Sequence, residues 1–418
     1  MQRGFIFAAI YLTAFLTACS SVHPTTRNSR SIDPKMTSAE QPSVTNMPTV
    51  TSMPSVSVAP LPTMPSAYLG GRTSANEQNQ PRNRSTKLQD EPEKSTQLED
   101  PEEEKSEVDY ATVRPYEVGQ IMIIMYHGLV KTEAEENVCQ RSVDNFKNDL
   151  QTFYDRGFRL ISVKDWLDNN INHPAGYTPL ILTFDDGLPS TFSLEYRDGE
   201  LQPVENCAVD IMNKFAEKHP DFGNAAMLFI NKSPFRGEGT MAERFKYLID
   251  HGYEIGNHTM NHNQLSKMTA EEIQSEIGGI DELIKENVPG YVPYAISYPY
   301  GERPLKALHE YILSGEWEGG TYSYRVALRE GQSGPPSAIN RVGFDPINVP
   351  RVHGANERVT DMGWTLEQYE INPDLRYTSD GNPDRIAVPV EYVDNVDKNS
   401  LNGKELYIYD ENGKEVKG

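Results

Sequence analysis

Pro179-Leu180-Ile181-Leu182-Thr183-Phe184-Asp185-Asp186-Gly187 is the stretch on which the reading of this chain turns. An unbroken apolar run that ends in two adjacent carboxylates and a glycine describes a strand buried on both faces, leaving its sheet through a polar turn. Similar short strands are expected at 121–125, 159–163, 225–230 and 295–298, and Glu254-Ile255-Gly256 fits one more. Helical spacing fills the gaps. Asp144 can cap a helix carrying Phe146, Leu150, Phe153 and Tyr154, which Gly157 ends. Residues 207–218 carry Val209, Met212 and Phe215 on one face. Thr269 opens a long helix with Ile273, Ile277, Ile280 and Ile284 on one stripe, stopped by Pro289-Gly290. A further helix is expected over 304–313. Strand and helix alternate every 25–35 residues or so, which predicts an α/β fold with a parallel sheet covered by helices. Periodicity alone leaves an open doubly wound sheet and a closed barrel equally possible. Residues 188–206 are polar and lack a period, as expected of an insertion that walls a groove.

The ends of the chain differ from its middle. Arg3 precedes an apolar run, Gly4 to Phe15, that is too short to span a bilayer, and Leu16-Thr17-Ala18-Cys19 follows. Residues 1–18 therefore resemble a bacterial lipoprotein signal, with Cys19 diacylated as the new N-terminus. An ordinary secretory signal with an incidental cysteine is the alternative. Both export the protein, and the first also anchors it, since stable anchoring takes two acyl chains. Residues 19–112 are rich in Ser, Thr and Pro and then acidic, with ten acids against three lysines from Lys87 to Asp109. Such composition cannot bury enough apolar surface to offset chain entropy and predicts a disordered tether. The folded domain is expected over 113–370. Residues 371–418 carry apolar runs at 385–390 and 405–409, with turns at Asp380-Gly381 and Asn412-Gly413, which suggests an extension of a few antiparallel strands.

The net charge of −22 argues against nucleic acid as a partner and suits a neutral or cationic polymer. With Cys19 acylated, Cys139 and Cys207 allow one pairing, which nothing in their spacing favours or excludes.

His258-Thr259-Met260-Asn261-His262 completes the chemistry begun by Asp185 and Asp186. Two imidazoles four apart share a face if they lie on one helical turn, and one of two adjacent carboxylates can join them on a divalent ion. The other carboxylate stays free for acid–base work. Met125-Tyr126-His127 upstream, Ser297-Tyr298-Pro299-Tyr300-Gly301 downstream and Pro350-Arg351-Val352-His353-Gly354 near the end extend the pattern.

Taken together, residues 118–355 resemble the polysaccharide deacetylases of the NodB homology type, carbohydrate esterase family four. Within that family the Met-Tyr-His and Tyr-Pro-Tyr-Gly sequences are similar to the poly-N-acetylglucosamine deacetylase subgroup. The resemblance implies a distorted (β/α)7 barrel with its chemistry at the C-terminal ends of the strands. It implies Asp186, His258 and His262 as ligands of a divalent metal, zinc first, with cobalt, nickel or iron(II) also accepted. Asp185 is then the general base, and the backbone N–H of Tyr300 the oxyanion donor. His353 is the candidate general acid, and His127 and Tyr298 are candidate groove residues. Many members carry an arginine just before the proline of the third motif, paired with the base; here the residues are Ile296-Ser297-Tyr298, and Arg351 is a candidate replacement. The implied function is hydrolytic removal of acetyl groups from N-acetylated, possibly O-acetylated, cell-surface or extracellular polysaccharide by a membrane-anchored lipoprotein.

Two other readings compete. Two histidines and one carboxylate also form the facial triad of non-haem iron oxygenases, a reading that leaves the second aspartate without a role. A catalytically inactive glycan-binding wall lipoprotein on the same fold would account for the missing arginine and the unassigned acid.

Overall fold

The computed structural model describes residues 108–417 apart from 319 and 331–333; the expected signal, Cys19 and most of the expected tether lie outside the described residues. The central sheet contains β1 (Met122–Tyr126), β2 (Phe158–Leu160), β3 (Thr178–Phe184), β4 (Met227–Ile230), β5 (Glu254–Asn257), β6 (Ala295–Ser297), β7 (Val326–Arg329), β8 (Val349–Pro350) and β9 (Val352–His353). The order is β8-β7-β6-β5-β4-β3-β1-β9, with β2 beside β3 and every pair parallel. β8 and β9 are two halves of one extended segment separated by Arg351. Val349 pairs with Leu328 of β7, whereas His353 pairs with Met125 of β1.

The two edges of the sheet therefore meet on a single segment, and the eight strands of the path occupy seven positions of a parallel barrel. This is the (β/α)7 architecture the sequence implied. Its distortion comes from β2, which pairs with β3 over 178–180, whereas β4 reaches β3 only at 183–184.

Alternation along the strands sorts the core. Met122, Ile124, Leu180, Leu182 and Phe184 face outward, onto the layer of helices. Ile123, Ile181, Phe229, Ala295, Leu328 and Val349 fill the inside. Each is fully or almost fully buried, which contributes about 1.5–3 kcal/mol per side chain relative to exposure. The outer layer includes α1 (Val143–Asp155), α3 (Ala208–Lys218), α4 (Met241–Asp250), α5 (Ala270–Asn287) and α6 (Met362–Ile371), whereas the short α2 (Val163–Leu167) packs Val163, Trp166 and Leu167 against the inside cluster.

Thr269 caps α5 in a reciprocal box with Glu272. The cap of α1 is Ser142 instead of Asp144: the extended residue just before the helix is the one whose Oγ reaches the Asn145 N–H, at 3.3 Å. Asp144 sits in the first turn, where its charge suits the helix dipole. The 304–313 segment is a 3-10 turn (Lys306–Leu308) and one helical turn (Glu310–Leu313) that leads into a hairpin. Residues 194–203 of the insertion also form a hairpin, turned at Asp198-Gly199. Cys207 is a free, buried thiol, so no Cys139–Cys207 bridge forms.

The C-terminal extension differs most from expectation. Arg385–Pro389 and Glu405–Tyr409 pair in parallel, not antiparallel. The 390–404 link is long enough to carry the chain back to the starting end, as parallel pairing requires. This pair packs Ile386 and Val388 against Tyr116 and Val118, and Tyr409 and Ala387 against Tyr110. Buried Glu117 accepts the Ala387 N–H at 2.8 Å and the Asp380 N–H at 3.2 Å. Structure therefore begins before the expected boundary at 113, with a helical turn over Tyr110–Val113. A protein ending at residue 370 should lose its single cooperative thermal transition, because Tyr110, Tyr116 and Val118 become exposed. An unchanged melting curve would mean the extension adds nothing to the barrel.

Candidate active site

The strand alternation that fills the barrel also delivers the site. Ile121-x-Ile123-x-Met125 continues inward to His127, and Ile181-x-Thr183 to Asp185. Val326-x-Leu328 continues to Glu330, and Val349 to Arg351 and His353. His258 follows β5, and Ser297 ends β6. These polar residues therefore gather at the C-terminal mouth, where (β/α) barrels build their sites. The cavity there is lined by Met125, His127, Asp185, His258, His262, Tyr298, Tyr300, Gly301, Glu330 and Arg351.

Asp185 is held by a fully buried clamp. Arg351 donates Nη1 to Oδ1 at 2.7 Å and Nη2 to Oδ2 at 2.6 Å. Nη2 also donates to Ser297 Oγ at 2.7 Å, and that hydroxyl donates to Asp185 Oδ2 at 3.1 Å. Thr183 Oγ1 accepts from Nη1 at 3.1 Å and donates to the Ile124 carbonyl at 2.8 Å. Burial alone would raise the Asp185 pKa, but the Arg351 charge, with His258 and the Arg351 hydrogen bonds, holds it well below the usual carboxylate range. The missing third-motif arginine is thus replaced from the segment that closes the barrel.

Asp186, His258 and His262 bring one ligand atom each to within 4.8 Å of one another, as no other such trio does among the described residues. Asp186 Oδ1 lies 3.6 Å from His258 Nε2 and 3.4 Å from His262 Nε2. His258 Nδ1 donates to the Ser297 carbonyl at 2.8 Å, which fixes the tautomer and leaves Nε2 with its lone pair. That nitrogen is buried and has no hydrogen-bond partner among the described residues. One carboxylate oxygen and two imidazole nitrogens, one of them orphaned, fit a divalent ion of the zinc type.

The two histidines do not sit on a helical turn, as their spacing suggested. They belong to a bent loop in which Thr259 (φ 63°) and His262 (φ 54°) are left-handed. Asn257 Oδ1 accepts the Thr259 N–H, Asn231 donates to the carbonyls of His258 and Thr259, and Glu276 accepts from Asn261. This packing holds the rings with centroids 4.9 Å apart. Asp186 (φ 72°) and Tyr300 (φ 58°) are left-handed too. At about 1–3 kcal/mol each, such strain persists where surrounding structure over-determines it, typically at functional sites.

His353 has a carboxylate beside each ring nitrogen, hydrogen-bonded at Nε2 alone. Nε2 lies 3.0 Å from Glu330 Oε1, and Nδ1 lies 3.2 Å from Asp361 Oδ1, at the N-terminus of α6. Burial works against its charge, but Asp361 and Glu330 outweigh it and raise the pKa above 6.5. His127 lines the cavity with a buried Nδ1 that has no partner among the described residues, and burial lowers its pKa. Tyr300 packs its ring 4.7 Å from that of His262. Tyr298 borders the cavity, yet its ring packs outward in the cluster of Ile296, Ile312 and Tyr324, and its hydroxyl donates to the Ile347 carbonyl at 2.9 Å. It is less of a groove residue than expected.

Sequence reasoning missed Ser297 as a positioning group, and Glu330 and Asp361 altogether. The alternation Val326-x-Leu328-x-Glu330 was the available signal, but that strand is only four residues long.

Arg351→Met should destabilise the fold by about 3–5 kcal/mol in denaturant titration, because it strands a buried carboxylate. A loss under 1 kcal/mol would mean that Asp185 does not depend on the pair. His353 gives a second test. Its folded pKa exceeds the unfolded 6.5, so folding favours the protonated ring; that stabilisation is complete below pH 6.5 and lost as pH rises through the folded value. Stability should fall as pH rises above 6.5, and His353→Gln should flatten that decline.

Residues 173–312 match the family model described as polysaccharide deacetylase. The Bacillus subtilis protein YxkH, named as a candidate polysaccharide deacetylase, is 25% identical over 238 residues, which cover 54% of this chain and 77% of that protein. The peptidoglycan-N-acetylglucosamine deacetylase of Bacillus cereus is 27% identical over 31% of this chain and only 38% of its own length. Among solved structures, the Streptococcus pyogenes deacetylase PplD in complex with acetate aligns with a TM-score of 0.42 and 19% identity, over 56% of this chain and 92% of PplD. IcaB from Ammonifex degensii aligns with a TM-score of 0.42 and 17% identity, over 60% and 99% of the two chains. Over residues 173–312 the chain is thus similar to the polysaccharide deacetylases, and both sequence relatives are named as deacetylases.

Proposed function

We propose that this protein is a metal-dependent hydrolase that removes acetyl groups from N-acetylated, less favourably O-acetylated, cell-surface or extracellular polysaccharide. The observation that carries the proposal is the convergence of Asp186, His258 and His262 within 4.8 Å, beside a second aspartate clamped by Arg351. Asp186, His258 and His262 would hold the ion, zinc by preference and cobalt, nickel or iron(II) by the same donor chemistry. When bound, such an ion lowers the pKa of a coordinated water and polarises a carbonyl oxygen.

The chain's own residues divide the remaining work. Asp185 takes the proton of the attacking water; Arg351 keeps it ionised and Ser297 fixes its rotamer. Asp185 Oδ2 lies 3.8 Å from His258 Nε2, so the base borders the ligand cluster. The Tyr300 N–H, in the turn beside His262, is the proposed donor to the oxyanion. The His353 side of the cavity supplies the proton that the departing nitrogen needs.

The oxygenase reading leaves the clamped Asp185 without a task. The inactive-binder reading drew on the missing arginine and the unassigned acid, and the Arg351–Asp185 pair removes the first of these motives. The lipid anchor on Cys19, export and attachment at the cell surface belong to the same proposal, on the strength of the Leu16-Thr17-Ala18-Cys19 sequence.

Acetate release from N-acetylglucosamine oligomers, peptidoglycan and acetylated xylan tests the reading and names the substrate. Chelation should abolish release, and zinc or cobalt should restore it. Asp185→Asn should cut kcat by about 100-fold or more while metal content stays equal. Release that survives both chelation and Asp185→Asn would sink the proposal.

A further inference from the structure

His353 was the sequence candidate for the general acid, but the geometry places another side chain between it and the cavity. The His353 side chain is 1% exposed, whereas that of Glu330 is 19% exposed and lines the cavity. Of the two His353 nitrogens, Nε2 is hydrogen-bonded to Glu330 at 3.0 Å, and Nδ1 is buried 3.2 Å from Asp361 Oδ1 without hydrogen-bond geometry. Neither nitrogen reaches the cavity: Nε2 faces Glu330, and Nδ1 is buried on the Asp361 side.

Glu330 also joins the wall that leads to the ligand cluster. A Cβ on Gly301 would lie 2.9 Å from Glu330 Cβ and 3.2 Å from its backbone nitrogen, so the Tyr300-Gly301 turn rests directly on Glu330. Tyr300 in turn touches His262. We infer that Glu330 is the catalytic residue that meets the leaving nitrogen, with His353 behind it as the proton source and Asp361 as the residue that positions His353. This rests on the deacetylase reading.

The step balances with the groups present. His353 Nε2 delivers its proton to Glu330 Oε1. The carboxyl group so formed protonates the nitrogen as the C–N bond breaks and its electron pair stays on nitrogen. One proton leaves the pair; the products are the amine, a neutral His353 and a Glu330 carboxylate. Asp361 Oδ1 stays 3.2 Å from Nδ1 throughout. The charged and titratable groups around the pair are Glu330 and Asp361 facing His353, and His353, His127 and Arg351 facing Glu330.

The test compares two acetyl substrates of the full chain. An N-acetylglucosamine oligomer has an amine leaving group that must be protonated, whereas the nitrophenolate of 4-nitrophenyl acetate leaves without a proton. Glu330→Gln should lose at least about 100-fold more kcat on the amide than on the ester, with KM for the oligomer changed far less. Asp185→Asn should lose both substrates alike. Nitrogen-15 NMR should find that His353 titrates at lower pH in Glu330→Gln, a readout independent of turnover, and melting curves report whether the variant is folded.

Amide turnover by Glu330→Gln at the wild-type rate would mean that His353 donates directly, and the inference falls. Equal loss on both substrates, or an unmoved His353 titration, would reduce Glu330 to a structural wall residue. Wild-type silence on both substrates would overturn the deacetylase reading itself, and this inference with it.

Discussion

The buried pair of Arg351 and Asp185 is the interaction around which this domain is arranged. Two charges taken out of water cost several kcal/mol each, and only good geometry with every remaining lone pair and proton engaged recovers that cost. The bidentate contact, Ser297 Oγ and Thr183 Oγ1 provide that geometry. Arg351 is also the one residue between the two half-strands that join β7 to β1. Closure of the barrel and ionisation of the site carboxylate are therefore the same structural event. A barrel left open at 349–353 would lack the cation that Asp185 requires.

A second constraint follows from strand geometry. With a period of two, every inward-facing position along a barrel strand is followed, two residues on, by another. Apolar side chains occupy these positions in the lower part of the barrel and polar ones at the mouth, so one rule produces both core and site. Where the rule runs out, left-handed residues take over. Asp186 would point away from Asp185 on a continued strand; its φ of 72° allows both carboxylates to face His258. The strain at Asp186, Thr259, His262 and Tyr300 is set against the packing of α5 and the hydrogen bonds of Asn231, Asn257 and Glu276.

The cavity is electrically two-sided. Around Asp185, a guanidinium lowers a carboxylate's pKa; around His353, two carboxylates raise an imidazole's. Arg351, which depresses the Asp185 pKa, and His353 lie two residues apart on one closing segment, and opposite perturbations of two groups are expected where one must accept a proton and another must supply one.

The sequence by itself determined the alternation of strands and helices, the Asp-Asp turn and the histidine pair, whereas the closed barrel entered only as what the family resemblance implied. The first three are properties of short segments, set by period and by local polarity. The position of Arg351 beside Asp185 was open as a candidate in the sequence, but its pairing depends on two residues 166 apart that meet only when the sheet closes. The histidine loop, the parallel C-terminal pair and the Glu330–His353–Asp361 chain were decided by tertiary structure. Each depends on backbone turns or on contacts between distant elements, which hydrophobic period does not encode. Glu330 illustrates the limit: its strand is too short for a pattern, and its role exists only because His353, held by Asp361, lies behind it.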